Sequence, residues 1–170
     1  MDTLQTSLLA STYTVTALYH RIGVVQQLIE HVYYTAGADT SATLSERYQA
    51  AVAALPDADQ RVVREWGEDW LLAVDEHTVH QFTTALREWV DTLPTMTIYV
   101  PVRLDETAAA SIGTWCRAEL ADDMMMELLV DPAVVGGCAV IKEYTYHDLS
   151  LRTKLAAQPT VIPDIVGSYE

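Results

Sequence analysis

Val130-Asp131-Pro132-Ala133-Val134-Val135-Gly136-Gly137 leads through a short alternating run into His147-Asp148-Leu149-Ser150-Leu151-Arg152-Thr153-Lys154-Leu155. Asp131-Pro132 ends any preceding strand, because proline has no amide donor and drives the residue before it into extended geometry. Gly136-Gly137 permits positive φ or a close backbone approach that a Cβ would resist. A turn is expected here. From Gly137 onward Ala139, Ile141 and Glu143 alternate with Cys138, Val140 and Lys142, the period of a short strand leaving a core for solvent. Tyr144-Thr145-Tyr146 is strand-prone. Asp148 then precedes a helical run, where it caps free amides and stands four residues before Arg152.

Working upstream, Met96, Ile98, Val100 and Val102 alternate with Thr97, Tyr99, Pro101 and Arg103. This reads as a half-buried strand that Pro101 restricts to an edge or irregular position. Asp105-Glu106 opens an Ala-rich helix with acidic residues in its first turn, and Ala108, Ile112, Trp115 and Leu120 keep near-helical spacing. Met124 to Val130 supplies a further buried strand. The order is therefore strand, helix, three strands, helix.

The N-terminal part differs in kind. Leu4, Leu8, Val15, Leu18 and Ile22 share one helical stripe, and Val25, Leu28, Ile29, Val32 and Tyr33 share the next, with Gly23 between them. Further helices are expected over 44–55, over 59–74 on Val62, Trp66, Trp70 and Val74, and over 77–93 on Val79, Phe82, Leu86 and Trp89. Short connections favour an antiparallel bundle. The fold class expected is thus α+β: a helix bundle over 1–94, a small α/β domain with a short mixed sheet over 95–157, and an extended tail over 158–170. Pro159 and Pro163 stand in that tail amid Val161, Ile162, Ile165 and Val166; it is expected to lie along the domain or a partner, with disorder the alternative.

The C-terminal block resembles the signature of the delta subunit of F-type ATP synthases, called the oligomycin sensitivity-conferring protein in mitochondria. Val130, Asp131, Pro132, Val134, Val135, Gly136 and Gly137 match its first part without a gap, and Asp148, Ser150 and Leu155 its last. Glu143 stands where the hairpin glycine usually falls, and Leu149 replaces the glycine between Asp148 and Ser150. Tyr13, Ala17 and Leu18 match an early bundle motif in part, with Thr14 at its first alanine. The family's bundle has six helices, and five are legible here.

The resemblance implies a connector that catalyses nothing and carries no cofactor or metal. Its bundle would accept amphipathic N-terminal helices of the alpha subunits of the catalytic head. Its C-terminal domain would hold b-type peripheral stalk subunits, and no homo-oligomer is expected. The implied location is peripheral, on the cytoplasmic face of the bacterial inner membrane, or alternatively the matrix side of the mitochondrial one. Tyr13, Leu18, Trp66 and Trp70 are the candidate anchors for the alpha helix, each weighed against a place in the core.

Composition narrows the rest. A chain of 170 residues with a net charge of −14 lacks the clustered cations that phosphate binding requires, which argues against nucleic acid. The acidic excess is spread along the chain and reads as a solvated surface, or as steering toward basic helices. No window approaches about 18 consecutive apolar residues, so no membrane span is expected, nor does the N-terminus carry a secretory pattern. Cys116 and Cys138 have no CxxC spacing and read as reduced core residues.

The groups that chemistry could use have plainer readings. His77 and His80 are one turn apart but lack a third ligand. Glu119, Asp122 and Asp123 lack calcium-loop spacing. His147, Asp148 and Ser150 are adjacent in sequence, which suits a helix start better than a triad. Gly136-Gly137 lacks the longer pattern of a phosphate loop, and Met124-Met125-Met126 reads as core with a soft binding surface as the minor reading. Two rivals stand beside the connector: an E-type stalk subunit of a V/A-type rotary ATPase, whose usual long charged first helix is missing here, and a small hydrolase, for which no convergent polar groups are found.

Overall fold

A computed structural model describes residues 2–35, 42–74, 77–142 and 144–157. The chain is α+β and divides into two compact units, Met1–Leu93 and Pro94–Glu170. The segment 158–170, expected to be extended, lies outside the described residues.

The described part of the first unit is helical. α1 spans Asp2–Ala10 and α2 Val15–Glu30. The break falls at Ser11-Thr12-Tyr13-Thr14, not at the expected Gly23, which lies within α2. Hydroxyl side chains compete for backbone groups and favour helix starts, and the Thr14 Oγ1 accepts from the Ala17 amide at 3.3 Å. After a π-helical turn at His31–Thr35, α3 spans Leu44–Ala53 and opens on a capping box, in which Thr43 and Glu46 satisfy each other's backbone amides.

α4 spans Asp57–Trp66 and stops at Gly67, whose φ is +70°. The helix expected over 59–74 is thereby broken, and its second half is a 3-10 helix, Asp69–Ala73. Two aromatic side chains hold the break: the Tyr48 hydroxyl and the Trp70 indole N–H both donate to the Gly67 carbonyl, at 2.9 and 3.0 Å. α5 spans Val79–Thr92 and runs antiparallel to α2. Tyr19 Oη donates to Asp91 Oδ1 at 2.8 Å, Arg87 Nη2 to Gln26 Oε1 at 3.1 Å, and Tyr33 Oη to the Val74 carbonyl at 2.6 Å, so positions rise on α2 as they fall toward α5 and its approach. Leu4, Leu8, Leu18, Ile22, Leu28 and Leu86 lie at the centre of this unit's core.

The second unit holds β1 (Thr95–Val100), α6 (Glu106–Glu119), β2 (Met125–Val130), β3 (Ala139–Lys142), β4 (Thr145–Asp148) and α7 (Leu151–Ala157). The sheet order is β2-β1-β3-β4. β1 and β2 are parallel, which requires the crossover that α6 supplies, while β1–β3 and β3–β4 are antiparallel. The order expected from sequence is found, with three corrections. β1 is an inner strand rather than an edge: it ends at Val100, before Pro101, and its last carbonyl accepts from the Asp131 amide at 2.9 Å. β2 is buried only at Met125 and Met126, whereas Leu129 and Val130 are exposed. Tyr144 belongs to the β3–β4 turn and not to a strand, and its φ is positive, +64°.

Gly136 and Gly137 both have positive φ, +64° and +73°. A Cβ on Gly137 would sit 2.5 Å from the Leu149 carbonyl oxygen and 3.3 Å from the Ser150 Cα, a backbone contact that cannot yield locally. One on Gly136 would meet the tip of the Leu151 side chain at 2.6 Å, which is free to turn away. The paired segments are stitched by the Leu149 amide to the Cys138 carbonyl at 2.9 Å and by the Leu151 amide to the Val135 and Gly136 carbonyls, both at 3.1 Å. Left-handed strain on a residue with a Cβ costs about 1–3 kcal/mol. Gly136→Ala is therefore expected to lose roughly 1 kcal/mol, and Gly137→Ala more than about 3 kcal/mol because strain and collision add; urea titration of both variants by circular dichroism checks this order.

Candidate functional site

Three of the four anchors expected for a docking helix lie inside the first unit. Leu18 is 0% exposed, and Trp66 and Trp70 are buried with it. The Trp70 ring stacks on Phe82 at 6.2 Å and meets Tyr48 edge-on at 6.2 Å, so it cements the helix break and α5 together. Trp66 is equally enclosed, and its indole N–H finds no acceptor among the described residues. Tyr13, at the break between α1 and α2, is half-buried. As they stand, Leu18, Trp66 and Trp70 serve the core, since a docking helix could reach them only by displacing their neighbours.

The accessible apolar surface of this unit lies elsewhere. Leu72 is 76% exposed on the 3-10 helix. It borders a pocket of about 290 Å³ whose lining includes Leu44, Tyr48, Leu71, Glu68 and Asp69. Glu68 also accepts from the Ser45 hydroxyl at 2.9 Å. Burial raises the Tyr48 phenol above its usual range, so the pocket has an uncharged apolar floor under an acidic rim. Because Gly67 ends α4, Leu71 turns inward and Leu72 outward; the stripe Val62, Trp66, Trp70, Val74 gave no sign of either role.

The second unit carries a larger cleft, about 610 Å³, between α6 and the sheet. Met96, Ile98 and Val100 of β1 form its floor, Ile112, Trp115 and Cys116 of α6 one wall, and Cys138, Val140 and Leu149 the other. Trp115, which keeps helical spacing with core residues, is 59% exposed at the mouth. Behind it Cys116 is fully buried, its thiol 3.9 Å from the Met126 sulfur and pushed to higher pKa by that burial. Lys142 and His147 also line the cleft, and among the described residues no carboxylate does. Among the described residues the two clefts thus differ in charge, one lined by Glu68 and Asp69 and the other by Lys142 and His147.

Of the motif residues of the C-terminal block, Gly137 lines that cleft, and the others shape the turns and the helix start of the block. Asp131 Oδ1 accepts from the Ala133 amide at 2.9 Å, turning the chain around the exposed Pro132. Gly136 and Gly137 receive the start of α7 as described. Asp148 accepts from the Ser150 amide at 2.8 Å and from the Thr153 hydroxyl at 2.7 Å, and Ser150 is buried. Leu155 is exposed on α7. His147, Asp148 and Ser150 accordingly act as a strand end and helix start. His77 and His80 are exposed, and no group of three or more His, Cys, Asp or Glu gathers as a metal site among the described residues. None of the helices among the described residues is long and apolar enough to cross a membrane. No protein-family model matches the chain, and no curated protein matches it.

Removing a buried tryptophan costs about 3–5 kcal/mol, so Trp70→Ala is expected to lower first-unit stability by that order; a loss below about 1 kcal/mol in guanidinium unfolding would contradict its core role. The bonds from Thr153 and Ser150 hold the Asp148 carboxyl below its ordinary range. A depressed folded pKa stabilises above the unfolded value, about 3.9, and that contribution is lost as pH falls through the folded value. Carbon-detected NMR titration should therefore place Asp148 below about 3.9, with Thr153→Ala moving it upward.

Proposed function

We propose that this chain is a non-catalytic connector of the stator of a rotary F-type ATP synthase, of the delta or oligomycin sensitivity-conferring type. In this reading it links the alpha subunits of the catalytic head to b-type peripheral stalk subunits, so that rotor torque drives synthesis instead of turning the head. The observation that carries the proposal is that each of two compact units has its own open apolar cleft, the two differing in charge. The resemblance of the Val130 to Leu155 block supplies the family, and Gly137, Cys138, Val140 and Leu149 of that block line the second cleft.

The acid-rimmed pocket beside Leu72 suits a basic amphipathic helix, as expected of an alpha-subunit N-terminus: apolar side chains fill the floor while cations meet Glu68 and Asp69. The cleft beside Trp115 would take an apolar segment of the stalk. Two contacts on one molecule raise avidity by about 10² to 10⁴ where geometry admits both, which is what a stator under torque requires. The location that goes with this reading is peripheral, on the cytoplasmic face of a bacterial inner membrane, or on the matrix side of the mitochondrial one.

Titration calorimetry of the full chain against the N-terminal peptide of its cognate alpha subunit, and separately against a distal fragment of its b-type subunit, tests the proposal. One site for each is expected, with neither competing for the other. Leu72→Asp should weaken the alpha peptide by about tenfold or more, some 1.4 kcal/mol, and leave the stalk fragment unaffected; Trp115→Asp should do the reverse. Failure of both ligands to bind, or a variant that weakens both equally, would overturn it.

A further inference from the structure

We propose that the outer edge of β2, from Glu127 to Asp131, is a docking site for an extended segment of another polypeptide, one with a cation at each end of a short apolar run. The segment adds to the sheet as a fifth strand through main-chain hydrogen bonds. β2 ends the order β2-β1-β3-β4, so among the described residues only one of its sides meets another strand. The edge lies outside both clefts, and its use does not depend on the connector reading.

The backbone fixes which groups are offered. The Met125 amide donates to the Pro94 carbonyl at 2.8 Å and the Asp131 amide to the Val100 carbonyl at 2.9 Å. In a parallel ladder alternate residues turn their N–H and C=O to the same neighbour, so Met125, Glu127, Leu129 and Asp131 face β1. Met126, Leu128 and Val130 therefore direct their backbone groups away from it. Met126 is enclosed, whereas Leu128 is half-buried, Leu129 37% exposed and Val130 52% exposed. The accessible donors and acceptors are those of Leu128 and Val130.

Edge strands are commonly guarded by lysine, proline, a bulge or shortness. β4, at the opposite edge, has four residues and is exposed throughout, with Thr145, His147 and Asp148 among them. β2 has six residues in unbroken register with β1 and carries neither lysine nor proline. Its charge is acidic instead. Glu127 is exposed and accepts from the Thr97 hydroxyl at 3.3 Å, and Asp131 follows Val130. Arg117 is held at the buried start of the strand, where it donates to the Met124 carbonyl at 3.3 Å.

These positions define the partner. An incoming antiparallel strand that sets β-branched residues across from Leu128, Leu129 and Val130 sets its next residues across from Glu127 and Asp131. Cations suit both places and acids neither. The segment that fits therefore reads basic, three apolar, basic. A second copy of this edge does not fit, because antiparallel pairing over the same five residues puts Glu127 across from Asp131.

Backbone amide exchange in the full chain, read by NMR, tests this with the peptide Ser-Lys-Val-Ile-Val-Lys-Ser and its counterpart carrying glutamate for lysine. At saturation the lysine peptide is expected to slow exchange at Leu128 and Val130 by about tenfold or more, and the glutamate peptide to bind about tenfold more weakly. Val130→Pro removes an outward N–H without costing a bond to β1, so it should weaken the lysine peptide by about tenfold while Leu129 stays protected. Should Leu129 lose protection, Glu127→Lys makes the comparison by charge: it should weaken the lysine peptide and strengthen the glutamate one. No binding of the lysine peptide at about 1 mM, binding that leaves Leu128 and Val130 unchanged, or equal affinity for the two peptides would overturn the proposal. So would protection of the peptide-free chain that deepens with protein concentration, which would assign the edge to a second copy.

Discussion

The close approach of Gly137 to the backbone of Leu149 and Ser150 is the constraint on which the second unit depends. At 2.5 Å from a carbonyl oxygen there is no room for a Cβ, so the turn after Val135 and the start of α7 meet only because a glycine stands there. That contact brings the Leu149 amide to Cys138 and the Leu151 amide to Val135 and Gly136. It also sets Leu149 and Cys138 side by side as one wall of the apolar cleft. Local backbone permission thus shapes an apolar cleft: glycine allows the bend, the bend seats the helix start, and the seated helix start forms one wall opposite α6.

The first unit uses a glycine to the opposite end. Gly67 stops α4, and the carbonyl it exposes is taken by both Tyr48 and Trp70. The aromatic residues are consumed in the core, while Leu72 is turned outward under an acidic rim. The pocket of the first unit is thus lined by Glu68 and Asp69 beside apolar side chains, whereas the cleft of the second is lined by Lys142 and His147 beside apolar ones.

Much of this was legible in the residues. Periodicity identified β1, α6 and the helices around Leu18 and Leu86, because a strong apolar stripe has one buried solution; in α4, however, the buried valine is Val63 and not the expected Val62. The Asp131-Pro132 and Gly136-Gly137 turns were legible because those residue types have few conformations to choose from. What escaped were features decided by competition. Thr14 outbid Gly23 for the break between α1 and α2, since a hydroxyl cap stabilises a start whereas a glycine within a helix costs only about 1 kcal/mol. Gly67 ended a stripe that Trp70 and Val74 continued in register, because positive φ cannot be read from spacing. Pro101 was read as confining β1 to an edge or irregular position, whereas it follows the end of an inner strand, and that β1 is central depends on which strands pair with it. The clefts were illegible for the same reason: Trp115 keeps core spacing on α6, and only the offset of the helix over the sheet leaves it at a mouth. Leu18, Trp66 and Trp70 were visible as large apolar groups, yet whether such a group faces inward or a partner is settled by its neighbours in space.

Native-state hydrogen exchange at Leu149 and Leu151 tests most directly whether the double-glycine contact holds the second unit together. Both amides should be strongly protected and should open together with the β3 amides of Val140 and Ile141, as one cooperative piece. Exchange at Leu149 and Leu151 near the rate of an unstructured peptide, while β3 stays protected, would contradict the account.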